Sequence, residues 1–230
     1  MDATISNPPG TVIRGMTPGR LAGLSAIGGV LLPLIANLVF AGNLAQLAGQ
    51  SVQRIANSVS TYGTQYDAGS FIDQIGQMLF LAFVVIVARR STDRALSILA
   101  ITSVAVLVSL DALAVAATFA DVQLARHGGD AQSVAALFYV TPGVRAMDNT
   151  ATLIFGPVFG AVALRGRLLP PLLAWVPIIL GFGGFLVQFA AIYFEPAGVG
   201  GLLVFVVYLV WLLSTGIYLV ARPDRIDARG

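Results

Sequence analysis

The chain has 230 residues, 57% of them hydrophobic and only 10% charged, with a formal net charge of +2 and a mean hydropathy of +0.86. So little polar surface cannot coat a soluble globule of this size, and the expectation is a membrane domain embedded in a lipid bilayer. At about 20 residues per span the length suffices for some six helices joined by short links; it leaves no room for a separate soluble module, and the small net charge implies no nucleic acid as partner.

In chain order, residues 1–16 read as a tail. Thr17 and Pro18 read as N-cap and first helical residue of an apolar run over about 18–42. That run exceeds the roughly 7–15 residues of a signal-peptide core and is read as an uncleaved first span. Between 43 and 59, Leu44, Leu47, Val52, Ile55 and Val59 recur at helical spacing among Gln and Ser. The pattern fits either a short amphipathic helix lying at the outer surface or a solvated loop with one helical turn. Further apolar runs cover about 71–89 and 95–120. An outer segment at 130–140 follows, with Asp130 as its N-cap. The last runs cover about 142–165, 168–194 and 200–221, and 223–230 form a second tail. The connections on one side are only a few residues long, so the spans of the 17–222 domain pair as tight hairpins.

Arginine placement orients these spans. One face receives Arg14, Arg20, Arg89, Arg90, Arg94, Arg165, Arg167, Arg222, Arg225 and Arg229; the other holds only Arg54, Arg126 and Arg145. Basic residues concentrate in cytoplasmic loops, so the alternation predicts an all-α, six-helix polytopic bundle in a bacterial inner membrane with both termini cytoplasmic. A shift of seventy-five residues lays the second span on the fourth: Asp73-Gln74 on Asp148-Asn149, Gln77 on Thr152, Phe80 on Phe155, Val87-Ala88 on Val162-Ala163, and Arg90 on Arg165. These matches read either as a repeat of three hairpins, a device of several transporters, or as the resemblance any two apolar helices share.

Three carboxylates lie within the runs. Asp73, Asp111 and Asp148 each stand sixteen or seventeen residues from an inner arginine, which places all three at about 24–26 Å along their helices. An aspartate in hydrocarbon costs about 2.5–3.5 kcal/mol on the mildest insertion scale, so such residues face a bundle interior or a wet pocket. Asp111 is the sharpest signal, read either as a protonatable or cation-binding group or as a protonated carboxyl hydrogen-bonded across helices. It shares a stripe with Ser103, Leu107, Val115 and Thr118, and lies ten residues inside Asp121, taken as the last residue before the outer loop. Asp73 and Asp148 begin helices from the outside, where a carboxylate also complements the helix dipole. Arg145 stands one turn before Asp148, and with Asn149, Gln74, Gln77 and Asn37 these residues could line one polar pocket. One arginine cannot neutralise three acids, so the pocket would keep a proton or take a cation.

Gly156-Pro157 predicts a kink in the fourth span, Gly156 and Gly160 a close helix contact, and Gly181, Gly183 and Gly184 the same for the fifth. The sequence has no cysteine, which removes disulfides and thiolate chemistry, and its single histidine, His127, falls in an outer loop. No Walker A or H-E-x-x-H motif occurs, and no Ser–His pair can form within the bilayer. No catalytic residue, metal site or cofactor is expected.

The strings Arg167-Leu168-Leu169-Pro170-Pro171-Leu172-Leu173-Ala174, Gly181-Phe182-Gly183-Gly184 and Trp211-Leu212-Leu213-Ser214-Thr215-Gly216, with Arg20-Leu21-Ala22-Gly23-Leu24 at the first span, resemble a family of uncharacterised six-helix bacterial membrane proteins catalogued as a domain of unknown function. The resemblance implies six spans and a bacterial cell membrane and supplies no activity or site. The residues themselves point to binding or translocation of a small cation, a cationic solute or protons. The rival readings are a non-catalytic accessory, assembly or sensor subunit with a protein partner or a second copy of itself, and a lipid-processing enzyme using the acids near the headgroups.

Overall fold

A computed structural model describes residues 16–40, 47, 49–193 and 197–227, and the side chains of these except 142, 143, 145–150, 188, 189, 191–193 and 197–202. Helix α1 covers Pro18–Ile35, with Thr17 Oγ1 accepting from the Arg20 N–H as its cap. Pro33 interrupts the hydrogen-bond ladder because it has no N–H. The following turn, Ala36–Phe40, widens to π geometry, and Asn37 Nδ2 donates to the Pro33 carbonyl at 2.8 Å. Five further helices follow: α2 Val52–Ala88, α3 Arg94–Arg126, α4 Ala131–Arg165, α5 Pro171–Tyr193 and α6 Ala197–Ala221, with a single turn, α7, at Asp224–Asp227. Ser51, Asp93 and Asp130 cap α2, α3 and α4, each accepting a backbone N–H in the first turn. Asp130 also accepts from Ser133 Oγ at 2.6 Å, as its position in the sequence predicts.

Among the described residues, four helical stretches are long and apolar enough to cross a membrane: Pro18–Phe40, Val52–Ala88, Arg94–Arg126 and Leu203–Ala221. Large apolar side chains point away from the bundle on successive helices, among them Leu24, Ile75, Leu113, Ile154, Ile179 and Ile217. A helical surface of that kind is stable in hydrocarbon and not in water, so the protein is a multi-pass membrane protein.

The helices follow one another in space. Each packs on the next, α6 returns to α1 and closes the ring, and α2 also touches α4, so that α3 leans on the groove between those two. Gly156 and Gly160 let α4 meet the α5 backbone, where a Cβ on Gly156 would strike the Pro177 carbonyl oxygen and one on Gly160 would come within 2.6 Å of the Ala174 oxygen. The predicted close contact is therefore between α4 and α5. Gly183 makes no such contact. Residues paired by the seventy-five-residue shift share environments: Val87, Ala88, Val162 and Ala163 are all fully buried, and the Phe80 and Phe155 rings meet edge to face at 5.4 Å. At the chain end, Ile226 is fully buried and Asp227 Oδ1 accepts the Gly19 N–H at 2.9 Å, a donor that the first turn of α1 would otherwise leave unpaired.

Three helices extend beyond the apolar runs read as spans. The helix of the second run, read from 71, begins at Val52; that of the third, read to 120, continues to Arg126; that of the fourth, read from 142, starts at Ala131. At 37, 33 and 35 residues these helices are about 50–55 Å long and overshoot a hydrocarbon layer of about 30 Å. Their ends away from the arginine-rich side bury a second core of Leu47, Ile55, Val59, Tyr66, Val122, Val134 and Ala135. Ile55 and Val59 belong to a continuous α2, so from Val52 onward the amphipathic stretch is neither a loop nor a separate surface helix. The same apolar periodicity that suits a headgroup layer suits a neighbouring helix.

Replacing Gly156 with Val should lower the thermal stability of the detergent-solubilised protein by about 1–3 kcal/mol, the cost of overpacking, whereas Gly183→Ala should leave it unchanged or slightly raised. Equal effects would contradict the α4–α5 contact. At the arginine-rich end, the Asp93 carboxyl lies below its usual range because it accepts the Leu96 N–H and then a 2.7 Å bond from Arg165. A lowered folded-state value stabilises above the ordinary carboxylate range, and that contribution disappears as pH falls through it. Thermal melts should show the wild type more stable than Asp93→Asn at pH 7 and the gap closing in acid.

Candidate functional site

Asp73 sits on the face of α2 that packs against α1. Gly69 and Gly76, one turn to either side, admit Phe40 and Pro33 to the α2 backbone. On α3, Asp111 shares its buried face with Ser103 and Leu107, as its stripe predicts. Asp73 is 6% exposed and Asp111 5%.

Both carboxylates open on one cavity of about 450 Å³, lined also by Asn37 beyond α1, Gln77 and Phe80 on α2, Leu107 on α3, and Thr152 and Phe155 on α4. Pro33 on α1, Leu180, Gly181, Gly184 and Val187 on α5, and Val204, Phe205 and Tyr208 on α6 complete the wall. All six long helix segments thus reach this space. By helical rise, Asp73 stands about 22 Å from Ala88, Asp111 about 26 Å from Arg94, Thr152 about 20 Å from Arg165 and Tyr208 about 20 Å from Ala221. Side chains from four helices therefore converge at a shared depth.

Toward the arginine-rich end the cavity meets a packed aromatic floor. Phe80 touches Phe155 at 5.4 Å and Tyr208 at 5.9 Å; Phe159 lies 5.5 Å from Phe83 and from Phe155, and 5.9 Å from Trp211. Edge-to-face and offset pairs of this kind exclude water and hold the helices in register. Trp211 is further fixed by its Nε1–H, which donates to the Leu173 carbonyl at 2.7 Å. Trp175, 52% exposed, points away from the bundle.

The structure brings together Asp73, Asp111, Gln77 and Asn37. Gln74 does not line the cavity: its amide is buried, with no hydrogen-bond partner for Nε2 or Oε1 among the described residues. Arg145, Asp148 and Asn149 lie on α4, and their side chains fall outside the described residues. Asp121 departs from expectation. It is buried within α3, because that helix continues past it to Arg126. Among the described residues no group of three or more His, Cys, Asp and Glu side chains converges to hold a metal ion.

The residues missed by sequence reasoning are mostly apolar: Pro33, Leu180, Val204, Phe205 and Tyr208 carry no chemical signature that separates cavity wall from core. Thr152 and Phe155 did carry one, since the seventy-five-residue shift pairs them with Gln77 and Phe80, and all four line the cavity. No protein-family model, curated protein or solved structure matches this chain.

Proposed function

We propose that the chain is a six-span, non-enzymatic protein of a bacterial inner membrane, with both termini inside, whose central cavity binds or translocates a small cation, a cationic solute or protons. The observation that carries this reading is the placement of Asp73 and Asp111, from two different helices, in the wall of one cavity within an otherwise apolar bundle. Surrounded by apolar walls, an ionised carboxylate attracts positive charge far more strongly than it does in water, and a protonated one is a proton donor to the cavity. Gln77, Thr152 and Asn37 supply neutral oxygens that can replace part of a cation's water shell. Six spans are supported by the lengths of α4 and α5, 35 and 23 residues, beside the four stretches already long enough to cross. The one-sided arginines support the orientation.

Uptake of a monovalent cation or of protons into proteoliposomes should fall at least about tenfold in Asp111→Asn, about the loss expected from removing one charge-assisted contact. Asp73→Asn should behave likewise, and Ser109→Ala, on the exposed side of α3, should match the wild type. Undiminished, equally pH-dependent uptake in Asp111→Asn removes it from the mechanism. Because the native chain has no cysteine, single replacements report topology directly. A membrane-impermeant maleimide on intact cells should label Ser133→Cys and spare Ser91→Cys until lysis; the opposite pattern overturns the orientation.

A further inference from the structure

The cavity is divided along its length. The carboxylates lie about 22–26 Å from the arginine-rich helix ends, whereas Phe80 lies about 12 Å and Phe155 about 15 Å from those same ends. Tyr208 stands between the two levels, its ring 5.9 Å from Phe80 and crossed at 78°. Both acids therefore lie at one end of the space, with Phe205 at their level about 24 Å from the end of α6, and the other end carries aromatic rings and no acid. A bare metal ion or a proton would engage only the acidic level and leave an apolar chamber for water to fill at a cost. Cavities of roughly 300–1,000 Å³ with largely apolar and aromatic walls and a few placed polar groups are the usual form of a site for an organic molecule. Aromatic faces also attract a cationic head, most strongly where water is excluded.

We infer that the ligand of this cavity is an organic amine, its ammonium group held at the level of Asp73 and Asp111 and its apolar body packed on Phe80, Phe155 and Tyr208. The inference rests on the cation-binding reading of the same cavity and narrows it to a chemical class. It also accounts for the three rings of Phe80, Phe155 and Tyr208 in the wall of a cavity that holds two acids, which proton or metal-ion binding alone does not require.

The test compares three probes on the purified full-length protein in lipid nanodiscs: phenethylamine, its neutral counterpart 2-phenylethanol, and sodium ion. Binding is read by calorimetry and by Trp211 fluorescence in a Trp175→Phe background. Phenethylamine should bind at least about tenfold more tightly than 2-phenylethanol, the scale of one charge-assisted contact to a carboxylate. Asp111→Asn should abolish that preference, and Phe80→Leu should weaken the amine about tenfold. If sodium binds with Asp111 dependence and phenethylamine neither binds nor competes, the amine inference is overturned and the wider cation reading stands. Equal binding of amine and alcohol, indifferent to Asp111→Asn, overturns it as well and identifies a merely apolar cavity. If no probe binds and Asp111→Asn leaves uptake unaltered, both readings fail. Should Phe80→Leu not fold, the wild-type ratio of amine to alcohol decides alone.

Discussion

A carboxylate held away from water must find its compensation inside the protein, and Asp73 and Asp111 impose that condition on every helix around them. Each carries a cost of about 2.5–3.5 kcal/mol in hydrocarbon even by a lenient measure. The bundle meets the condition by collecting its polar side chains at one level. Gln77, one turn along α2 from Asp73, Thr152 on α4 and Asn37 beyond α1 border the same space. The remainder of each helix is then free to be apolar on both its inward and outward faces.

Close backbone approach is what makes this convergence geometrically accessible. Gly69 and Gly76 bring α1 onto the α2 face that carries Asp73, and Gly156, Gly160 and Gly181 do the same between α4 and α5. Packing of small residues replaces the hydrophobic effect as the source of helix association in a bilayer, where lipid tails are as apolar as leucine. Pro33 adds a local departure. Its missing N–H and the wide turn after it place Asn37 in the cavity wall, with the Asn37 side chain satisfying the carbonyl of the same proline. Within that turn Ala36 is buried, while Leu38 and Val39 point away from the bundle.

Below the acids, the rings of Phe80, Phe83, Phe155, Phe159, Tyr208 and Trp211 form a continuous layer from three helices. Above them, α2, α3 and α4 continue beyond membrane thickness and enclose a second small core. The cavity thus lies between a rigid aromatic layer and a three-helix extension. Residues at its wall are held by neighbours on both sides along the helix axis.

Most of the architecture was legible in the chain itself. Composition, the lengths of the apolar runs, the caps at Thr17 and Asp130 and the inward stripe around Asp111 all follow from local rules: hydrophobicity, helical period and backbone hydrogen-bonding are properties of neighbouring residues. The helix ends at 52, 126 and 131 did not follow, because periodicity reveals that a face is buried and not what buries it. The meeting of Asp73 with Asp111, the exclusion of Gln74 and the recruitment of Tyr208 were decided only in three dimensions. They depend on helix rotation and on contacts between residues far apart in sequence, where one apolar wall residue reads like any other. Sequence alone determined that acids would lie at a common depth; tertiary packing determined that two of them share a cavity floored by aromatic rings.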